Sequence, residues 1–306
     1  MDGTGDSAGG AGPDTLTPPA DTVSPPDTVA PPDTTSPPVP VSHLGIPFGA
    51  FHPPIELYGP EYSGSYRAPK PDSLLIELEA ARRTNTRVML NFSGPSWWFA
   101  DGGGFNMTKW KQRVDRFRAI DFGSYIADGT VVGHFIMDEP ADPSNWNGDL
   151  VTPAELDEMA RYSKEIWPNL PAIVRAWPVY VKDYQFQYLD AVWAQYLWRL
   201  GDIDSFIATN VNLAKGAGLA LVAGLNVSNG GSPSSGIPGR NPGKQAMNAE
   251  EVRTWGSILL SEPYMCALIV WRYMPDYFAR PDIQEAMLDL NHEAENHPKQ
   301  DCRRQS

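Results

Sequence analysis

The segment Met137-Asp138-Glu139-Pro140 ends an apolar run with two adjacent carboxylates and a proline, which cannot continue a strand ladder. Carboxylates placed in this way can exchange protons with a bound substrate. Each disfavours ionisation of the other, so one is expected to hold its proton more tightly, as a general acid requires. Asp138 and Glu139 are therefore the leading candidates for acid–base chemistry, and Asp276, on a loop after the last apolar run, is another acid near a strand end.

Other apolar runs also end in side chains able to grip a ligand. In chain order these are His52, Asn91, Arg175 with Trp177, Gln195 with Tyr196, Asn226, and Trp271-Arg272-Tyr273, with Trp97 and Trp98 on a connecting loop. Sugar rings offer apolar faces that stack on such aromatics and hydroxyl rims that pair with such polar groups, so these residues are the expected substrate-binding set for a carbohydrate. Trp110, Trp167 and Trp255 lie in helical patterns and are expected in the core. His134 is mid-strand and is expected to be a hydrogen-bonded interior residue.

Rival chemistries lack their residues. No Gly-x-Ser-x-Gly turn is present for a serine hydrolase. The glycine-rich stretch from Asn226 to Gly243 lacks the lysine of a nucleotide cradle and is expected to be a flexible wall of the pocket. Five histidines and two cysteines without ligand spacing give no expectation of a metal or a cofactor.

These residues need elements to hold them. Strand-like runs at 45–51, 87–92, 131–138, 172–177, 189–195, 219–225 and 266–271 alternate with helix-like segments. The helices are expected at 71–83 (capped by Asp72 or Ser73), 108–126, 153–167, 202–215, 249–261 and 281–295. Thr152-Pro153-Ala154-Glu155 reads as a capping box, and Asn248 as an N-cap. Near-continuous apolar strands alternating with helices predict a parallel sheet covered by helices, an α/β fold. Its size, about 250 residues, suits a TIM-like (β/α)₈ barrel, whose working residues lie at the C-terminal strand ends. Seven strands are legible. Either an eighth hides between Thr108 and Gly129, or the barrel is incomplete.

The Met137-Asp138-Glu139-Pro140 strand end resembles the Asn-Glu-Pro strand end of the retaining β/α-barrel glycosidases. That resemblance implies that Glu139 is the acid/base and proton donor, and that Asp138, where the family has Asn, holds the substrate or tunes Glu139. The family also places a carboxylate at its penultimate strand end; here the final strand ends in Trp271-Arg272-Tyr273, and only Asp276 lies near. A tryptophan ending the last strand is similar to chitinase-like barrels too, although their Asp-x-Glu spacing is absent. Gly224-Leu225-Asn226, Gly230-Gly231 and Trp271-Arg272-Tyr273 resemble segments of uncharacterised bacterial glycoside-hydrolase-like barrels. The resemblance implies a glycosidase acting on an oligo- or polysaccharide. The alternative is a non-catalytic carbohydrate-binding barrel that kept the cleft and lost the nucleophile.

Residues 1–43 read as a disordered tether, 44–296 as the barrel and 297–306 as a C-terminal tail. The tether repeats a Pro-Pro-Asp-Thr unit and has too few apolar side chains to offset the cost of ordering. Its six Asp supply part of the net −13, leaving −7 on the remainder. An acidic body argues against a nucleic-acid partner. No apolar run is long enough to cross a membrane, no signal peptide is visible, and a monomer is expected. The proline-rich spacer before a tryptophan-rich domain favours an extracellular or cell-surface location. Cys266 opens the final strand, and Cys302 follows a helix that returns to the same barrel face. They are expected to form a disulfide or, alternatively, to be a buried hydrophobe and a free thiol.

Overall fold

The computed structural model describes residues 43–304 except 60 and 103; the tether expected over 1–43 lies outside the described residues apart from His43. Eight parallel strands close a barrel: β1 Phe48–Phe51, β2 Gly64–Arg67, β3 Arg87–Leu90, β4 Val131–Asp138, β5 Ala172–Arg175, β6 Ala191–Tyr196, β7 Ala220–Leu225 and β8 Met265–Val270. Each strand pairs with its sequence neighbours, and β1 closes the ring against β8. The α/β barrel is therefore complete.

The eighth strand is not between Thr108 and Gly129. It is β2, a four-residue Gly-Ser-Tyr-Arg segment with no apolar run to announce it. Gly49 of β1 lies opposite Gly64 of β2 in register. A Cβ on Gly49 would fall 1.6 Å from the Gly64 carbonyl oxygen, so only glycine permits this approach. The expected long helix over 108–126 is two pieces, α2 Met107–Asp115 and α3 Gly123–Ala127. Asn106 caps α2 through Lys109 N.

The remaining helices follow the sequence pattern closely: α1 Leu74–Arg83, α4 Pro153–Ile166, α6 Ile203–Gly216, α7 Ala249–Leu260 and α9 Pro281–Asn296, with short turns α5 Pro178–Val181 and α8 Pro275–Phe278 between them. Thr152 with Glu155 and Asn248 with Glu251 form complete capping boxes, and Asp202 caps α6. Ser73 precedes α1 without a side-chain cap; its hydroxyl bonds Glu77 instead.

Inside the barrel each strand contributes a side chain to one packed cluster: Phe51, Tyr66, Met89, Phe135, Ile173, Trp193, Val222 and Ile269. Phe51 stacks on Tyr66 at 4.1 Å and tilts against Trp193 at 5.1 Å. The interior is thus a filled core that forms the floor of anything bound above it. Outside it, Trp110 is fully buried and donates from Nε1 to the Ile136 carbonyl. Trp167 is buried and Trp255 packs against the outer core, as their helical patterns predict. His134 is fully buried, with Nδ1 2.7 Å from Ser163 Oγ, and desolvation pushes it down to about 3.

Both ends of the described chain meet the N-terminal face. Arg87 donates to the Leu44 and Gly45 carbonyls, and Ile46 N bonds the carbonyl of Ala294 in α9. Cys266 and Cys302 form a disulfide, with Cα atoms 5.1 Å apart. Arg304 then reaches the Phe186 carbonyl, so the tail spans from β8 towards the approach to β6.

Candidate active site

The C-terminal strand ends carry two adjoining cavities. One, of about 510 Å³, lies over β5 to β7 and the loop that follows β7. The other, of about 570 Å³, lies over β1 to β4. Glu139 and Trp271 line both. They therefore stand where the two halves of one cleft meet.

Asp138 ends β4 in register with Arg175 at the end of β5. The Arg175 side chain is largely buried, and the two carboxylates are about half exposed. Its Nε donates to Asp138 Oδ1, its Nη2 lies 3.0 Å from Glu139 Oε1, and its Nη1 donates to Gln195 Oε1 at 3.1 Å. Burial opposes the charge on Arg175, but the carboxylates of Asp138 and Glu139 outweigh it and raise its affinity for the proton. The acidic pair thus comes with a cation that the strand-end reading did not weigh. Asn226 Nδ2 also approaches Gln195 Oε1, at 3.5 Å, and the buried Gln195 Nε2 has no protein partner.

Glu139 adopts φ +45°, a left-handed conformation uncommon outside glycine. Surrounding bonds impose it. Glu139 N donates to the Arg175 carbonyl, while its own carbonyl accepts from Asp142 N and from Trp146 Nε1 at 3.3 Å. Trp146 is fully buried beneath this turn, so it supports the site and does not line it. Strain at such a position is a recurrent feature of functional sites.

On the other side, Asn91 Nδ2 donates to Tyr66 Oη at 2.8 Å, and Asn91 Oδ1 accepts from Ser93 Oγ and Gly94 N. Desolvation first, and then the Asp138 charge, push the Tyr66 phenol upward, so it stays protonated. His52 stands edge-on to Tyr66 at 5.1 Å. Desolvation, Arg67 and Arg272 push its imidazole down to about 4, although the residue as a whole is exposed. It is accordingly neutral at pH 7.

The cleft brings together most of the residues singled out from sequence. His52, Asn91, Trp97, Trp98, Asp138 and Arg272 line one half, Arg175, Gln195 and Asn226 the other, and Glu139 and Trp271 both. Trp97 and Trp98 are 72% and 50% exposed, with Arg113 3.9 Å from the Trp98 ring centroid. Tyr196, Tyr273, Trp177 and Asp276 line neither half. Tyr196 is buried against Phe206 and Trp255, with its hydroxyl on the Gly201 carbonyl. Tyr273 packs on Phe278, Trp177 packs on Phe206 before α5, and Asp276 is exposed in the first turn of α8.

The post-β7 stretch is a wall, although not a loose one. Asn241 N bonds Asn229 Oδ1, Arg240 N bonds the Ser228 carbonyl, and Ile237–Pro238 pairs with Gln245–Ala246. These bonds give its backbone polar groups internal partners. The loop aromatic Trp198 lines the cleft too, beside Arg199 and Lys244, two cations that the sequence reading did not single out. Tyr66 was missed along with β2. Among the described residues, no group of three or more His, Cys, Asp or Glu is arranged to hold a metal ion.

No family model matches the sequence, and no curated protein matches it. Solved structures do. The hyperthermophilic endocellulase of the archaeon Pyrococcus horikoshii is similar at TM-score 0.52 and 11% identity, over 83% of this chain and 93% of that one. A study of the disulfide contribution to thermostability in a hyperthermostable endocellulase gives 0.51 and 10%, over 83% and 93%. The apo β-glucuronidase 3 of Bacteroides uniformis gives 0.46 and 12%, and this chain spans 28% of its length. The endocellulase likeness shows the fold, a TIM barrel.

Proposed function

We propose that the chain is a glycoside hydrolase that takes an oligo- or polysaccharide along its cleft, with Glu139 as proton donor. One observation carries this reading: a strained glutamate and a tryptophan occupy the junction of two cavities, where a chain bound along both would present a linkage between sugars. Trp271 supplies a stacking face there, and Asn91, Gln195 and Asn226 supply hydrogen bonds for hydroxyls. Arg175, itself held by Asp138, fixes the Glu139 carboxylate. The Cys266–Cys302 disulfide supports an oxidising, extracellular location. Among the described residues no helix is long and apolar enough to cross a membrane.

A second reading, a barrel that binds saccharide without cleaving it, has its own support. Glycosidases ordinarily use two carboxylates flanking the bond. Here Asp138 and Glu139, on one strand end and one guanidinium, are the carboxylates in the cleft wall, and Asp276 lies outside it. Glu139→Gln separates the two. In the hydrolase it abolishes release of reducing ends, a loss of at least about 10²-fold, with cooperative unfolding retained. Saccharide binding with no hydrolysis by the unsubstituted chain supports the binding barrel.

A further inference from the structure

We infer that the cleft selects an anionic glycan, a chain whose sugars carry carboxylate or sulfate groups; this rests on the carbohydrate reading above. The chain as a whole carries a net charge of −13, yet the walls of its cleft are cationic. Lys70, Arg116, Arg175, Arg199, Lys244 and Arg272 line them, while Asp138 and Glu139 are the carboxylates there among the described residues. Arg175 is occupied by those two acids. The other five make no ion pair with any described residue. A neutral sugar has no use for such a set, and unpaired like charges repel one another across the groove.

The repulsion is visible at the junction. Arg240 lies 5.7 Å from the Trp271 ring centroid, and Arg272 follows Trp271 directly. Burial and the nearby charge of Arg240 lower the proton affinity of Arg272. Two arginines thus flank the central stacking residue with no carboxylate partner among the described residues, where an anionic substituent on a stacked sugar would neutralise both. Cations continue on either side, with Arg199 and Lys244 in one half and Lys70 and Arg116 in the other. That two-sided distribution fits repeated charges along a polymer better than one terminal acid. A concave cationic surface also focuses its field on what enters, and salt screens that attraction over about 8 Å at physiological ionic strength.

The test uses the full chain with four probes: polygalacturonate, chondroitin sulfate, neutral cellohexaose and single-stranded DNA. Binding is measured at low and high salt for the parent chain and for Arg199→Gln/Lys244→Gln. Both residues are exposed and make no ion pair with a described residue, so the fold should survive; Arg240→Gln serves as an independent variant. The expected result is that at least one acidic glycan binds more tightly than cellohexaose and weakens with salt. Each removed cation should lower that affinity roughly fivefold, and lower cellohexaose binding by clearly less. Preference between the two acidic polymers identifies carboxylate or sulfate as the group recognised. Cellohexaose binding equal to or tighter than both acidic glycans overturns the anionic assignment and leaves the carbohydrate reading standing. Binding of DNA alone, or of no probe, overturns both.

Discussion

Arg175 holds Glu139 from the neighbouring strand, Nη2 to Oε1 at 3.0 Å, and the same guanidinium holds Asp138. One buried cation therefore organises both acids, and Gln195 Oε1 fixes the cation in turn. Arg175→Gln should destabilise the fold by about 1–3 kcal/mol, because it leaves adjacent carboxylates without their counterion. Both can turn towards water, which keeps the loss moderate. Adding Asp138→Asn to that variant should recover part of it, a coupling that a double-mutant cycle in denaturant unfolding reads directly. Full additivity would mean that the guanidinium does not join the pair.

The buried histidine of β4 gives the fold an acid sensitivity with a definite sign. His134 is pushed down to about 3 by desolvation, against about 6.5 unfolded. Between these values the unfolded chain binds the extra proton, so stability falls as pH drops from about 6.5 towards 3, by at most about 1.4 kcal/mol per pH unit from this residue. His134→Asn, which can still face Ser163, should lose stability at pH 7 yet show a shallower decline between pH 6.5 and 4. Parallel stability–pH curves for parent and variant would remove His134 from the account.

Cys302 should matter more than its place near the chain end suggests. The disulfide closes a sequence separation of 36 residues, worth about 3–4 kcal/mol in the chain-entropy account. Cys302→Ser should lower Tm by about 10 °C, and the unreduced, denatured parent chain should titrate no thiol. Two titratable thiols would mean the link does not form in the expressed protein.

Trp271 and the exposed pair Trp97 and Trp98 should report on ligand. Trp271→Ala is expected to weaken saccharide binding about tenfold through lost stacking, and Trp97→Ala less, since its ring stands largely in water. Saccharide-induced quenching of tryptophan fluorescence should shrink in both. Undiminished quenching in both variants would place the ligand elsewhere.

Much of this was legible in sequence where apolar runs were unbroken. The run Val131 to Met137 announced β4, and its abrupt end announced Asp138 and Glu139. Strand β2 escaped because its information lies elsewhere. Gly64 is there to let two backbones close, Ser65 bonds Tyr58, and Tyr66 alone fills the barrel, so no apolar pattern remains. Losing β2 also hid Tyr66, the partner of Asn91. The grip of Arg175 on the acids could have been anticipated: consecutive parallel strands put Asp138 and Arg175 side by side, and both were visible strand ends. Loop position alone does not distinguish a ring over a cavity, such as Trp97, from one beneath a turn, such as Trp146. The cationic wall was hidden for a different reason: net charge is a sum, and it conceals how charge is distributed over faces.

The described chain enters and leaves the barrel on the face opposite the cleft, with Leu44 and Gly45 on Arg87 at one end and Cys302 on Cys266 at the other. The stretches of described chain that lead into the barrel and out of it therefore do not cross the groove. A polymer lying along the cleft, as proposed above, would meet neither of them.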